Sequence, residues 1–424
     1  MSVNLLVIGL GYVGLPLARE AALKGLDVVG YDLDSEVVAG LNSGRSHVGD
    51  VSAADVAEML ANGFRATAVE SETVESEAGP PDTVVICVPT PLGAASAPDL
   101  AAVRAATEMA GRLLRPGMLI VLESTTYPGT TDEVVRPLLE KASGLTAGVD
   151  FSLAFSPERI DPGNPHFGIR NTPKVVGGQT SSCADAAERF YGLFCDQVVR
   201  ARSAREAEMA KLLENTYRHV NIALVNEMAI FCHELGVDLW DAIRCAATKP
   251  FGFHAFFPGP GVGGHCIPID PNYLSYKVRT LGYPFRFVEL AQEINSRMPV
   301  YVVDRAAELL NRNAKPLNGA NVLLLGVTYK RDVADQRESP GRVIGRKLRA
   351  RGAVLAYHDP YVGEWSLDGD AVRRAEDLDS ELTRADLVIL LQDHTDYDLG
   401  RISRDACLVL DTRGRMAGPH VAAL

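Results

Sequence analysis

One stretch of the sequence stands out for its chemistry, a loop rich in glycine and proline around Cys266 (residues 257–271, FPGPGVGGHCIPIDP). Such a loop is rigid, and its glycines let the backbone come close to another group. Asp270 and Pro271 predict the N-cap and first residue of a helix that runs through Lys277. Because a helix N-terminus favours thiolate, Cys266 is a candidate nucleophile. The alternative, a structural cysteine, is more typical of an apolar strand or helix.

Three polar residues elsewhere could act with such a nucleophile. Lys211 and Asn215 are four residues apart on a predicted helix and so share a face, where they could stabilise an oxyanion or simply be solvated. Glu158 follows a predicted strand in FSPERI and is placed like a general base. Its alternative role is an ion pair with Arg159 or another neighbour.

A glycine turn near the N-terminus predicts a dinucleotide site. Gly9, Gly11 and Gly14 form a GxGxxG motif between an apolar strand and a helix, which is the context that pyrophosphate binding requires. Asp32 ends the next strand, 32 − 9 = 23 residues on, where a carboxylate would accept the ribose 2′-OH and repel a 2′-phosphate. The pattern therefore favours NAD over NADP, the alternative being a glycine turn in an unliganded α/β domain. Tyr12 and Val13, which lie between Gly11 and Gly14, are also expected to contact the cofactor.

Polar turns follow two further predicted strands. Thr90 and Pro91 follow one strand, and Ser124 and Thr125 follow the next. Ligands of open α/β sheets bind at the carboxyl ends of strands, although Thr and Ser are also ordinary turn residues. A nicotinamide site combined with a nucleophilic cysteine indicates an oxidation at the aldehyde level through a thiohemiacetal and a thioester.

The order of predicted elements indicates how these residues are positioned. Short apolar runs alternate with helical segments in the first half, which predicts a parallel sheet flanked by helices. Residues 204–235 contain no Gly or Pro and carry apolar residues at helical spacing, which predicts one long helix that crosses between domains or packs on a second subunit. The α/β alternation resumes after residue 314. We therefore expect an NAD-binding domain at 1–199, a helical region at 200–313 and a second α/β domain at 314–424.

Composition narrows the class of protein. The chain has 424 residues, of which 47% are hydrophobic, and a net charge of −12, which excludes disorder and disfavours a nucleic-acid partner. Seven scattered cysteines predict neither a disulfide framework nor a metal site and favour the cytoplasm. Two uncharged stretches, 1–18 and 250–269, are too rich in glycine or proline for a membrane span.

Several blocks together resemble the UDP-glucose/GDP-mannose dehydrogenase family along essentially the whole chain. They are residues 9–14, 87–91, 123–131 (ESTTYPGTT), 155–163 (FSPERIDPG), 210–215, 259–270 and 326–340 (GVTYKRDVADQRESP). The resemblance implies two Rossmann-like doubly wound domains joined by a central helical region with a long dimerising helix. It further implies oxidation of a nucleotide-sugar C6 alcohol to a carboxylate with two NAD.

The resemblance also implies roles for individual residues. Cys266 would be the nucleophile, with Lys211 and Asn215 stabilising the oxyanion and Asp270 activating water or assisting Lys211. Glu158 would act in thioester hydrolysis. The remaining implied contacts are Thr125 to a water near the reacting carbon, Lys330 to the sugar nucleotide and Arg337 to NAD.

The identity of the sugar rests on finer features. The sequences around Glu158 and Cys266 look like the branch that oxidises UDP-N-acetyl-hexosamines, so we expect UDP-GlcNAc first and UDP-ManNAc second. UDP-glucose, a dTDP-sugar, a catalytically silent sensor and a single-step β-hydroxyacid dehydrogenase are the alternatives. The aromatic segment 251–257 could wall a pocket for the acetamido group. Expected substrate contacts are Arg159, His254, Phe257, Gly263 and Lys330, and the expected assembly is at least a homodimer.

Overall fold

The computed structural model describes residues 4–74, 79–93, 97–161, 163–264 and 267–424. The chain divides into two compact units. The first unit extends to Glu214 and also holds Asn272–Tyr283, and the second unit comprises Asn215–Pro271 and Pro284–Leu424. Each unit is built around a sheet of its own.

The sheet of the first unit has eight strands among the described residues, in the order β3-β2-β1-β4-β5-β6-β7-β8. Neighbours are parallel except β6 and β7. The six strands β1–β6 follow the order 3-2-1-4-5-6 of a dinucleotide-binding Rossmann fold. The strands are β1 Asn4–Ile8, β2 Asp27–Tyr31, β3 Arg65–Thr67, β4 Thr83–Ile86, β5 Leu119–Leu122, β6 Ser152–Phe155, β7 Lys174–Gly178 and β8 Val198–Arg200.

Apart from Asn4 and Thr83 at their first positions, the central strands are apolar because a parallel sheet is covered on both faces. All five residues of β1 are buried, as are all four residues of β4 and of β5. The helices of this unit are α1 Gly14–Leu23, α2 Ser35–Asn42, α3 Ala53–Ala61, α4 Ala101–Leu113, α5 Arg136–Ser143 and α6 Ser181–Tyr191.

A long helix, α7, covers Ala204–Leu235, the range that the absence of Gly and Pro predicts. Its residues up to Glu214 belong to the first unit, and those from Asn215 belong to the second. The following helices are α8 Leu239–Ala247, α9 Asp270–Thr280 and α10 Arg286–Arg312. In α9 the predicted cap Asp270 is itself the first helical residue, and the helix continues three residues beyond Lys277.

The sheet of the second unit repeats the order 3-2-1-4-5-6 in six parallel strands of the described chain, β13-β10-β9-β14-β15-β16. The two Rossmann-like domains and the long central helix predicted from the sequence are thus confirmed. No helix within the described ranges combines the length and apolar character that a membrane span needs. The strands are β9 Asn321–Leu325, β10 Val354–His358, β11 Ser366–Leu367, β12 Asp370–Ala371, β13 Arg373–Arg374, β14 Leu387–Leu390, β15 Val409–Asp411 and β16 Val421–Ala423, and the helices are α11 Pro340–Ala350, α12 Leu378–Arg384 and α13 Leu399–Asp405.

Candidate active site

The glycine turn after β1 has the shape that a dinucleotide requires. Gly9 has a φ of +95°, and a Cβ added there would lie 2.7 Å from the Cys87 carbonyl oxygen. A Cβ on Gly14 would lie 1.8 Å from the Gly9 oxygen, whereas a Cβ on Gly11 would meet nothing within 4 Å. The first and third glycines are therefore needed for packing, and the second leaves open space beside the N-terminus of α1, where a pyrophosphate would bind.

Asp32 lies at the carboxyl end of β2 with its carboxylate fixed by the backbone. One oxygen accepts the N–H of Leu10 at 2.8 Å, and the other accepts the N–H of Asp34 at 3.0 Å. Each oxygen keeps a second lone pair for a ribose hydroxyl. Tyr12 and Val13 are half-buried against the core below the turn. The residues of this turn fit NAD.

The second unit contains the same turn with its carboxylate closed off. Gly326 follows β9 with a φ of +74°, and Asp359 follows β10 and accepts the N–H groups of Val327 and Tyr361 at 2.7 and 2.8 Å. Asp359 is fully buried, and His394 Nε2 lies 3.2 Å from its Oδ2. A sugar hydroxyl therefore has no access to this carboxylate, in agreement with the absence of a GxGxxG motif after β9.

The polar turns after β4 and β5 are joined by hydrogen bonds. Ser124 donates its hydroxyl to the Val88 carbonyl at 2.8 Å, and Tyr273 of α9 donates to the carbonyls of Thr90 and Pro91 at 2.8 and 3.2 Å. Thr90 is buried, and Thr125, next to Ser124, is half-buried. The two turns that the sequence predicts separately thus lie next to each other in the first unit.

Lys211 and Glu158 meet in the first unit. The Lys211 ammonium donates to the Glu158 carbonyl oxygen, and both side chains are buried. Arg159 pairs with Glu214 at 2.8 Å rather than with Glu158. The Lys211 ammonium thus lies against the backbone of Glu158, and the Glu158 carboxylate faces a different neighbour, Lys174, at 3.9 Å.

Asn215 and Asp270 meet in the second unit. The Asn215 amide donates to Asp270 Oδ2 at 2.5 Å, and Asp270 is 2% exposed at the start of α9. The predicted nucleophile Cys266 lies outside the described residues, as does its neighbour His265. The hydrogen bond between the Asn215 amide and the Asp270 carboxylate thus joins α7 to the first residue of α9.

The glycine-rich loop lies against the segment 329–340 of the second unit. A Cβ on Gly263 would lie 2.6 Å from the Glu338 carbonyl oxygen and 2.8 Å from Tyr329 Cβ, and Gly264 N–H donates to the Arg337 carbonyl at 3.2 Å. The sequence predicts that the backbone of this loop comes close to another group. In the structure that group is the segment 329–340.

Amide side chains hold the start of this loop. Gly259 N–H donates to Asn226 Oδ1 at 2.9 Å, and the Asn226 amide donates to Asn295 at 2.9 Å. Asn295 Nδ2 lies 3.3 Å from His219 Nδ1. Burial lowers the pKa of His219 to about 4, so this imidazole is neutral near pH 7 and its Nδ1 is able to accept.

The remaining predicted substrate and cofactor contacts lie on the second unit. Thr328 donates its hydroxyl to the Lys330 carbonyl at 2.9 Å, and the Arg337 guanidinium forms a bidentate pair with Asp335. His254 is exposed and lies edge-on to Tyr217 at 6.2 Å between ring centroids, and Phe257 is 47% exposed. Phe251, Phe253 and Phe257 of the aromatic segment are therefore exposed, whereas Phe256 packs half-buried against the core of the second unit.

Sequence reasoning missed two features of the site. Arg413 follows β15 and donates to the Leu391 carbonyl at 2.7 Å, and burial lowers its pKa to about 10. Its guanidinium packs beside the glycine loop, since a Cβ on Gly259 would lie 3.0 Å from Arg413 Nη1. Glu123 and Lys174 form a buried ion pair next to Glu158. The feature of the sequence that could have revealed these residues is the position of each charge at one end of an apolar strand.

Models of one family match nearly the whole chain. The NAD binding domain of the UDP-glucose/GDP-mannose dehydrogenase family matches residues 3–195, the central domain 205–297 and the UDP binding domain 323–417. A UDP-N-acetyl-D-mannosamine dehydrogenase from Pyrococcus horikoshii is 35% identical over 98% of this chain and 96% of its own length. A UDP-N-acetyl-D-glucosamine 6-dehydrogenase from Pseudomonas aeruginosa is 36% identical over 84% of this chain and 82% of its own.

The fold agrees with these relatives. The solved structure of a UDP-D-ManNAc dehydrogenase from Pyrococcus horikoshii superposes with a TM-score of 0.89 at 32% identity and covers 99% of both chains. The glycine turn, Asp32 and the UDP-binding-domain match agree with an oxidoreductase that uses NAD. The chain belongs to the UDP-glucose/GDP-mannose dehydrogenase family.

Proposed function

We propose that this protein oxidises the C6 alcohol of a UDP-2-acetamido-hexose to the uronate, using two NAD per sugar. The observation that carries the proposal is the match of three family domains in order, at 35% identity to a full-length relative named for UDP-N-acetyl-D-mannosamine. The contact of the Lys211 ammonium with the Glu158 backbone carbonyl supports it, because it holds a cation able to stabilise an oxyanion beside the segment that carries the proposed base.

In this proposal the side chains of the protein divide the chemistry between them. NAD, held by the glycine turn and Asp32, supplies a hydride acceptor for each of the two oxidations. The Cys266 thiolate adds to the C6 aldehyde, and the Lys211 ammonium and the Asn215 amide stabilise the resulting oxyanion. After the second oxidation, water attacks the thioester, Glu158 accepts the water proton, and the sulfur leaves as thiolate. Asp270 assists by orienting the Asn215 amide, and Thr125 orders the water.

The acetamido preference is proposed from the relatives' names and from the exposed aromatic segment. Phe251, Phe253 and Phe257 are 70, 38 and 47% exposed, so apolar surface is available to cover an acetamido group. His254 or a backbone carbonyl would pair with its amide, because a buried unpaired amide costs about 1–3 kcal/mol. Arg159, Gly263, Lys330 and Arg337 are proposed as further contacts to the substrate and NAD.

An NADH-formation screen tests this function. UDP-GlcNAc and UDP-ManNAc are compared with UDP-GalNAc, UDP-glucose and dTDP-glucose. We expect an acetamido sugar to exceed UDP-glucose by about tenfold in kcat/KM, equivalent to about 1.4 kcal/mol. A preference for UDP-glucose over every acetamido sugar would contradict the choice of sugar, and no NADH with any of them would favour a sensor.

Substitution of Cys266 tests the covalent mechanism. Cys266→Ala should lose net uronate formation because the aldehyde has no thiol to capture it. Cys266→Ser should be severely slowed and trap an ester, since an alkoxide leaves less readily than a thiolate. Ordinary turnover by the alanine variant would refute the mechanism.

We further propose a homodimer or higher oligomer in the cytoplasm, with α7 at the interface. Within the second unit, α7 exposes Tyr217, Leu224, Phe231 and Leu235 at 47, 54, 45 and 70%. Apolar side chains that recur along one helix are covered in most proteins by another layer or another subunit. Sedimentation tests this proposal.

A further inference from the structure

A carboxylate, an ammonium and a phenol are buried together in the first unit. Lys174 Nζ lies 2.8 Å from Glu123 Oε1, and their side chains are 5% and 0% exposed. Tyr191 donates its hydroxyl to the same oxygen of Glu123, and the Lys174 ammonium lies 5.0 Å from the centre of the Tyr191 ring. Glu123 follows β5, Lys174 begins β7 and Tyr191 ends α6, so three elements are joined at one point.

The ammonium of this cluster also faces Glu158. Lys174 Nζ lies 3.9 Å from Glu158 Oε2, and both residues line one crevice together with Thr172. Glu158 Oε1 accepts the N–H of Ile160, while the buried Oε2 has no hydrogen-bond partner among the described residues. The Lys211 ammonium donates to the backbone carbonyl of Glu158. The buried positive charge that faces Glu158 Oε2 is therefore the Lys174 ammonium.

We propose that Lys174, held in place by Glu123, is a positioning residue that pairs with the Glu158 carboxylate and orients it for thioester hydrolysis. The inference rests on the proposed function, in which Glu158 accepts the proton of the attacking water. In that step the water oxygen bonds to the thioester carbon, the proton passes to Glu158, and the carbon–sulfur bond breaks to release the Cys266 thiolate. Lys174 touches neither substrate nor sulfur in this scheme and acts only through Glu158.

The charges around the cluster agree with this arrangement. Burial disfavours the charged form of Lys174, but Glu123 and Glu158 together raise its pKa above the ordinary value, so the ammonium persists. Burial raises the pKa of Glu123, an effect that Lys174 opposes. The other titratable groups around the cluster are Tyr191, Cys87 and Cys195, whose pKa values are raised by burial, and Lys211 on α7. One ammonium is thus shared between two carboxylates.

Because Glu123 and Glu158 share one ammonium, two variants should move the acidic limb of the kcat–pH profile in opposite directions. Glu123→Gln removes one of the two carboxylates, so Lys174 acts on Glu158 alone, and the acidic limb of the kcat profile should move to lower pH. The double variant Glu123→Gln/Lys174→Met removes the ammonium from Glu158 without leaving the Glu123 carboxylate as a second uncompensated buried charge, and the limb should move to higher pH. We expect each shift to be about one pH unit, because opposite charges this close alter carboxylate ionisation by about that much or more.

The decisive experiment is a pre-steady-state burst measurement with the preferred UDP-sugar. In the double variant we expect the NADH burst to persist, the steady-state rate to fall about tenfold, and the thioester to accumulate on the intact protein after acid quench. Lys174→Arg keeps the cation and should restore most of the rate. The control Lys315→Met removes an exposed lysine, paired with Asp386, and should leave burst and pH profile unchanged.

The outcomes separate this inference from the proposed function. If both cluster variants keep the wild-type acidic limb and rate, the ion pair is structural and the inference is wrong. If the double variant does not fold, Glu123→Gln decides alone, and a limb that fails to move to lower pH overturns the inference. A wild-type protein that forms no NADH with any UDP-sugar overturns the proposed function and with it the inference.

Discussion

Alanine at Gly11 and at Gly14 should give opposite phenotypes, although the change in each case is one methyl group. A Cβ at Gly14 would lie 1.8 Å from the Gly9 carbonyl oxygen and 3.1 Å from Val7 Cγ1. Because the first of these atoms is backbone, no side-chain movement relieves the overlap. Gly14→Ala should therefore lose about 1–3 kcal/mol of unfolding free energy.

At Gly11 the same methyl group meets no protein atom within 4 Å. Gly11→Ala should therefore keep its stability or gain about 0.4–1 kcal/mol of unfolding free energy, because alanine lowers the conformational entropy of the unfolded chain. The methyl group would instead occupy the space of the pyrophosphate, so the Kd for NAD should rise at least about tenfold, or 1.4 kcal/mol. Thermal unfolding and NADH fluorescence titration measure the two effects separately. Unchanged NAD affinity in a folded Gly11→Ala variant would refute the assignment of this turn.

The other predictions concern cofactor choice, the glycine loop and assembly. Asp32→Ala should weaken the preference for NAD over NADP without abolishing turnover, and a wild type that uses NADP equally well in kcat/KM would contradict that role. Gly263→Ala should lower kcat about 10- to 100-fold, because its Cβ would lie 2.6 Å from a carbonyl oxygen of the segment behind it, whereas Gly363→Ala, with open space around it, should match the wild type. Sedimentation should show a dimer that Leu224→Glu weakens, and a wild-type monomer independent of concentration would count against the α7 interface.

Local signals made much of the fold predictable. The glycine turn and Asp32 are set by backbone geometry within one strand–turn–helix–strand unit, so their spacing alone was sufficient. The bounds of α7 follow from a run without Gly or Pro that ends at Gly236, which has a φ of +67°. The short strands β3 and β8 have three residues each and carry no periodic pattern, and they form only because a longer strand lies beside them.

Long-range pairing made the rest unpredictable. Nothing in the local sequence of Lys174 or Glu123 indicates that β5 and β7 bring them to 2.8 Å, since that contact depends on the order of strands in the sheet. The contact of Gly263 with the Glu338 carbonyl likewise joins two segments that are far apart along the chain. The exposure of Phe251 and its neighbours could not be inferred either, because an aromatic run is equally typical of a core.

The most direct test of the central claim is the number of NADH formed per UDP-2-acetamido-hexose when the sugar is limiting and NAD is in excess. Oxidation of the C6 alcohol through a thioester to the carboxylate predicts two NADH for each uronate released. A ratio of one NADH, with an aldehyde as product, would contradict the account.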